Sequence, residues 1–214
     1  EVFDTRQQYV YDLRQSGATL RVGRRLKWPD DFFYVQGRFR YQYNNVIEGQ
    51  NYYKEGVFNQ FSVGALISRK NIDNPIFPSN GTSLQLDVEL SGGRFLPGDV
   101  DYLKINFLTE WYRRLFNSNR VALYTIANVG YLDEIVQGTN IQPFEFLYMG
   151  GNGLVIATTA LRGYDDRTVG PKDPKTGYVI GGRVMAKFGA ELRVAVTLEP
   201  IPLYILMFAE AGNV

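Results

Sequence analysis

The amino-acid sequence predicts an all-β chain, an antiparallel transmembrane β-barrel segment of about eight strands. Three observations carry this. Apolar and polar residues alternate through runs that are mostly ten residues or longer, whereas strands of soluble sandwiches are typically about 5 to 6 residues. No stretch approaches the roughly 18 to 20 apolar residues of a membrane-crossing helix; the longest, Ile201 to Ala209, is about half that and contains Pro202. The connections between runs alternate short and long, as in outer-membrane barrels.

The first expected strand, Ser16 to Leu26, sets Ala18, Leu20 and Val22 against Thr19, Arg21 and Gly23. Phe32 to Tyr43 has the clearest period, with Phe33, Val35, Gly37, Phe39, Tyr41 and Tyr43 on one face and Tyr34, Gln36, Arg38, Arg40 and Gln42 on the other. A strand of that length, rising about 3.3 Å per residue and tilted by about 40°, covers roughly 25 Å along a barrel axis, the height of a membrane barrel's apolar band. Val57 to Ser68 sets Val57, Phe61, Val63, Ala65 and Ile67 against Gln60, Ser62, Gly64 and Ser68, and Ser83 to Ser91 sets four apolar residues against Ser83, Gln85, Asp87 and Glu89. Tyr102 to Leu115 and Arg120 to Leu132 follow, the second less regular. After a long gap come Arg183 to Thr197, with Arg183, Lys187, Glu191 and Arg193 on its polar face, and Leu203 to Val214. A polar face carrying Arg38, Arg40, Asp87, Glu89, Glu191 and Arg193 suits a wet lumen.

Leu26 to Asp31 and Phe116 to Asn119 are expected short connections; Asn44 to Gly56 and Leu132 to Arg183 are expected long ones. Phe77-Pro78-Ser79-Asn80-Gly81-Thr82 is a turn, because Pro fixes φ and Asn-Gly accepts positive φ. The same hairpin explains Asn80, so its formal glycosylation sequon carries little weight.

Composition closes off much chemistry. The 214 residues hold no Cys and no His, and the net charge is +1 from 23 basic and 22 acidic residues. Disulfides, thiolate metal sites, cysteine catalysis and imidazole bases are excluded, and nothing favours nucleic acid as a partner. The first residues, Glu1 to Arg6, lack a secretory signal pattern, so any such signal is expected outside this stretch. The last, Glu210 to Val214, read as mid-strand, so further strands are expected beyond them.

About fifty residues separate Leu132 from Arg183 with little alternation apart from an aromatic run at Pro143 to Met149. A loop of that length is expected to pack somewhere. Gly150-Gly151-Asn152-Gly153 has neither the Lys-Ser/Thr nor the helix of a phosphate loop, and Asp165 and Asp166 lack the further oxygen donors of a calcium site. Arg162 has two readings: a loop arginine is most often solvated, or it is drawn out of bulk water onto the wall. A guanidinium removed from bulk water must be paired, and two carboxylates have the right phase: Glu191 on one strand, and Glu210, in phase with Phe208 and Gly212, on the next.

Leu161-Arg162-Gly163-Tyr164, with Gly170-Pro171 after it, resembles the loop signature of the BamA-type outer-membrane assembly and translocation family. Phe208-Ala209-Glu210-Ala211-Gly212 resembles that family's aromatic-x-Asp-x-Gly strand motif, with Glu in place of Asp, and Phe77-Pro78 to Gly81 resembles its periplasmic turn. The resemblance runs from about Ser16 onward. It implies a barrel of about sixteen strands, of which residues 1–214 are one segment, with a loop at about 133–182 folded into the lumen. Periplasmic repeat domains and the last strands would lie outside this sequence. In that arrangement Arg162 is locked against Glu191 and Glu210, Gly163 permits a positive-φ turn, Tyr164 packs on the inner wall and Gly170-Pro171 ends the ordered tip. The implied function is to fold and insert outer-membrane β-barrel clients into the bacterial outer membrane. It is not that of an enzyme and uses no nucleotide, metal or cofactor. The implied partners are unfolded clients, accessory lipoproteins and the lipid bilayer. The alternatives are a secretion translocase of the same family and a passive porin; a lipase barrel generally needs a His base, which is absent.

Overall fold

The computed structural model describes residues 1–8, 11–49, 54–93, 95–136, 141–154 and 158–214. Parts of the two expected long connections, at 50–53, 137–140 and 155–157, lie outside them. The strands are β1 (Val2–Gln8), β2 (Tyr11–Arg25), β3 (Phe33–Gly49), β4 (Gly56–Ile72), β5 (Gly81–Ser91), β6 (Tyr102–Arg114), β7 (Val121–Asp133), β8 (Tyr148–Met149), β9 (Thr158–Thr159), β10 (Val184–Thr197) and β11 (Leu203–Asn213). Nine of them form one antiparallel sheet in the order β1-β2-β3-β4-β5-β6-β7-β10-β11, while β8 and β9 pair with each other in parallel inside the loop. All eight expected strands are present, with boundaries shifted by a few residues.

β1 was not expected. Its outward residues Val2, Asp4 and Arg6 form no apolar face, so the sequence period is silent there. Charge holds it instead: Arg14 reaches Asp4 at 3.0 Å and Arg6 reaches Asp12 at 2.5 Å across the β1–β2 pair. The long connection expected from Asn44 is also shorter than the sequence suggests, because β3 continues to Gly49. Asn44 reads as a turn residue, yet it is buried on the inner face. Gln15 and Gln42 donate to its Oδ1 at 2.8 and 2.9 Å, and its own Nδ2 donates to Gln60 at 3.3 Å. Amides that satisfy one another let a strand continue without an apolar residue.

Register gives the sheet its two faces. Leu20, Phe39, Val63, Leu90 and Leu103 stand side by side on adjacent strands, and Val22, Gly37, Ala65, Val88, Ile105, Tyr131 and Val184 form the next row. These outward residues are largely exposed. A continuous apolar outer face is stable only in contact with lipid, which is the arrangement of a membrane barrel. The inner face is polar on β3 to β6 and carries an apolar cluster where the loop packs: Leu13, Val46, Leu132, Leu147, Met149, Leu161 and Met185 are all buried together.

The turns joining β2–β3, β4–β5, β6–β7 and β10–β11 share one end of the sheet. In the β4–β5 turn the Asn-Gly pair is not a two-residue hairpin; Gly81 opens β5 at φ 123°. The turn is organised by Asp73, whose carboxylate accepts from the Ser79 and Asn80 amides at 2.9 and 3.1 Å, from the Ser79 hydroxyl at 2.5 Å and from Arg114 at 3.0 Å. Phe77 is thereby turned inward onto Ala122 and Ala195. Burial opposes ionisation of Asp73, but the Ser79, Asn80 and Arg114 hydrogen bonds outweigh it and hold the carboxyl far below its usual range. A depressed folded-state pKa stabilises above the unfolded carboxylate value, near about 4, and the contribution disappears as pH falls below it toward the folded value. Asp73→Asn is therefore expected to be less stable than the parent sequence at neutral pH, with a gap that narrows only under strongly acidic conditions. Urea unfolding across pH tests this, and a gap independent of pH down to the most acidic point would refute it.

Candidate functional site on the inner face

The loop folds back onto the sheet through glycines and short backbone pairings. Gly151 N donates to Tyr164 O at 2.9 Å, and Leu161 N donates to Gly151 O at 3.1 Å. At Gly150 a Cβ would stand 2.2 Å from Asp165 O, so no side chain fits between the two passes of the loop. Gly150 to Gly153 thus serve close packing of this loop against itself. Leu161 is buried in the apolar cluster, and burying it places the next residue, Arg162, against β10 and β11.

Arg162 meets both predicted carboxylates. Its Nε donates to Glu210 Oε1 at 3.0 Å and its Nη2 to the same oxygen at 2.6 Å, while its backbone N donates to Glu210 Oε2 at 3.0 Å. Nη2 also contacts Glu191 Oε1. The guanidinium lies 3.8 Å above the Phe208 ring, a cation–π contact that supports its planar face. The extra methylene of Glu210, relative to Asp, lets one carboxylate reach both the side chain and the backbone of Arg162.

The wall carries its own cations. Lys187 Nζ lies 3.3 Å from Glu210 Oε1 and donates to Ala160 O at 2.7 Å. Arg193 Nε donates to Glu191 Oε2 at 2.7 Å, and its guanidinium sits 4.2 Å from the Tyr124 ring centroid. Glu191 therefore has Arg193 and Glu210 has Lys187 without the loop. Arg162 is an additional cation on an already balanced pair of ion pairs.

A second set of contacts, not foreseen in the sequence, fixes the other side of the loop. Pro143–Glu145 form one 3-10 turn that presents Glu145 to β3, β4 and β6. Gln60 donates to its Oε1 at 3.1 Å, and Lys104 lies 3.5 Å from its Oε2 while donating to its backbone oxygen at 2.9 Å. Burial raises the Glu145 carboxyl, but Lys104 and Arg40 outweigh that and leave it below the usual carboxylate range. Beneath it lies a buried network in which Glu89 accepts from Arg38 and from the Tyr102 hydroxyl, each at 2.7 Å, and contacts Arg40. A lone acid in an aromatic run gave no signal of this role. The loop is a strut: Arg162 ties it to β10 and β11, and Glu145 ties it to β3–β6.

Other expected residues divide. Gly163 adopts φ 87° as expected. Gly212 lies under Met149, where a Cβ would be 2.6 Å from Sδ. Tyr164 is 58% exposed and, among the described residues, does not pack on the wall; its backbone carbonyl accepts from Gly151. Gly170-Pro171 does not end the ordered tip. The chain continues through a bridge between Lys172 and Val179 and a turn whose amides donate to the buried Asp173. Asp165 and Asp166 are exposed.

Residues 2–214 match the Omp85 superfamily domain. The chain belongs to the Omp85 superfamily. Among curated relatives, a SAM50-like protein of Schizosaccharomyces pombe is 25% identical over 213 residues, 95% of this chain and 42% of that protein. The outer membrane protein assembly factor BamA of Nitratidesulfovibrio vulgaris is 31% identical over 119 residues, 56% of this chain and 14% of the relative. The crystal structure of BamA from Haemophilus ducreyi lacking POTRA domains 1-3 superimposes with a TM-score of 0.79 at 17% identity, covering 99% of this chain and 44% of that one. The Omp85 chain thus spans less than half the length of these relatives, and its resemblance to the BamA-type barrel extends to β1, upstream of Ser16. Its sheet is that of an outer-membrane β-barrel.

Proposed function

We propose that this Omp85 chain is barrel wall and lumen loop of an insertase that folds and inserts β-barrel proteins into the bacterial outer membrane. It acts without nucleotide and without catalysing a covalent reaction. The observation that carries the reading is the strut: a loop held at both ends by charged contacts across the inner face of an Omp85 barrel. The names of the related BamA and SAM50-like proteins support it. An unpaired backbone N–H or C=O in lipid costs several kcal/mol, so a client strand inserts most easily where it exchanges partners with a strand already in the membrane. A strut that sets the curvature of β10 and β11 against β3–β6 holds the wall in a shape from which such an exchange can begin. The clients are unfolded outer-membrane barrels, and accessory lipoproteins would assist.

The test is the folding rate of a denatured outer-membrane barrel client into liposomes, with and without the full-length parent of this chain. Acceleration without added nucleotide is the expected result. Ion-conducting pores with no acceleration would replace the insertase with a translocase or porin.

A further inference from the structure

The outward surface at the short-turn end carries a groove that the strut does not use. It has a volume of about 460 Å³ and is lined chiefly by Asn80, Thr82, Trp111, Arg113, Leu123 and Thr125. Thr82, Trp111 and Thr125 are neighbours in one register row, and Arg113 and Leu123 in the next. These rows therefore share the lipid-facing side. Trp111 is 56% exposed and its Nε1 donates to Thr109 at 2.7 Å, which lays the indole along the outer face. Thr82 Oγ1 accepts from Arg69 at 3.3 Å, so a second guanidinium borders the groove.

Charge at this end is unbalanced. Asp30 and Asp73 are taken by Arg69 and Arg114; the exposed Arg24, Lys27, Lys70, Arg113 and Arg120 make no ion pair among the described residues and outnumber the two other exposed acids of these turns, Asp31 and Glu199. Each of the four turns at this end also displays a large apolar side chain, namely Trp28, Ile76, Phe116 and Ile201. Aromatic and apolar tips beside unpaired cations are what a barrel presents to the headgroup layer. The groove adds a specific place, open along the strands to Leu84 and Ala127 of the apolar belt.

We propose that this groove binds the headgroup of an anionic phospholipid, with its phosphate on Arg113, the Thr82 and Thr125 hydroxyls beside it, and its acyl chains along the apolar rows. The proposal needs only the membrane barrel and is independent of insertase activity. It commits to a lipid because the groove joins a cationic edge to an apolar face, which matches a molecule with an anionic head and apolar tails.

The experiment places the full-length parent in nanodiscs containing brominated phosphatidylglycerol or brominated phosphatidylcholine at equal mole fraction. The Trp111 signal is the fluorescence lost in Trp111→Phe. A preference of about fivefold for the anionic lipid is expected, the equivalent of one arginine near a charged membrane surface. Arg113→Gln should abolish the preference, and Arg113→Lys should retain most of it, with heat-modified gel mobility confirming that each variant is folded. Equal quenching by the two lipids, or an unchanged preference in Arg113→Gln, overturns the proposal. Displacement of the brominated lipid by inorganic phosphate would also overturn it, by assigning the groove to a free anion.

Discussion

Arg162→Ala is expected to loosen the loop on β10 and β11, and to reduce any acceleration of client insertion by about tenfold, while leaving the unfolding midpoint of the barrel nearly unchanged. Removing one partner from a buried ion pair often costs about 3 to 5 kcal/mol because the other charge is left alone. Here it is not left alone. Arg193 remains on Glu191 and Lys187 remains on Glu210, and the Arg162 side chain is 34% exposed. A docking contribution of about 1 to 2 kcal/mol is therefore the appropriate scale, and tenfold corresponds to about 1.4 kcal/mol. Protease access to the loop reports its release, and urea unfolding reports the barrel. In Lys187→Met the carboxylate of Glu210 depends on Arg162 alone, so the double variant should lose at least about 1 kcal/mol more than the two single losses combined. Strict additivity would mean that the wall is not charge-balanced in this way.

The largest effect on stability is expected at Glu89→Ala. Glu89 is buried and joins Arg38, Arg40 and the Tyr102 hydroxyl. Its removal leaves two guanidinium groups with a single further carboxylate each, Asp87 for Arg38 and the more distant Glu145, at 3.9 Å, for Arg40. A loss of about 3 kcal/mol in urea unfolding is expected. Glu89→Gln keeps an acceptor for Tyr102 and should lose less. If both variants unfold within about 0.5 kcal/mol of the parent, the network does not stabilise the wall.

Much of this was legible before folding was considered. Strand period is a local property, so runs such as Phe32 to Tyr43 declared their faces, and the phase of Glu191 and Glu210 followed from counting by two. Arg162 stood out through the resemblance of its loop motif, which implies a lumen-folded loop whose cation is paired. The sequence was silent where apolar alternation fails but polar groups satisfy one another across strands. β1 is held by cross-strand ion pairs, and Asn44 extends β3 through Gln15, Gln42 and Gln60. Tyr164 differs from its expected place because the side chain type suggested burial, while among the described residues it is the carbonyl that is engaged.

The amino-acid sequence by itself determined the class, the outer and inner faces of eight strands and the phase of Glu191 and Glu210, because each depends on spacing along one chain, while the resemblance of its loop motif pointed to Arg162 as their partner. Only the tertiary structure decided that Lys187 and Arg193 balance the wall, that Glu145 holds the loop from the other side and that Arg113 and Trp111 border one groove. Those relations join residues from strands and loops far apart in sequence. They arise from the register of adjacent strands and from the path of the loop across the inner face, which no local period encodes.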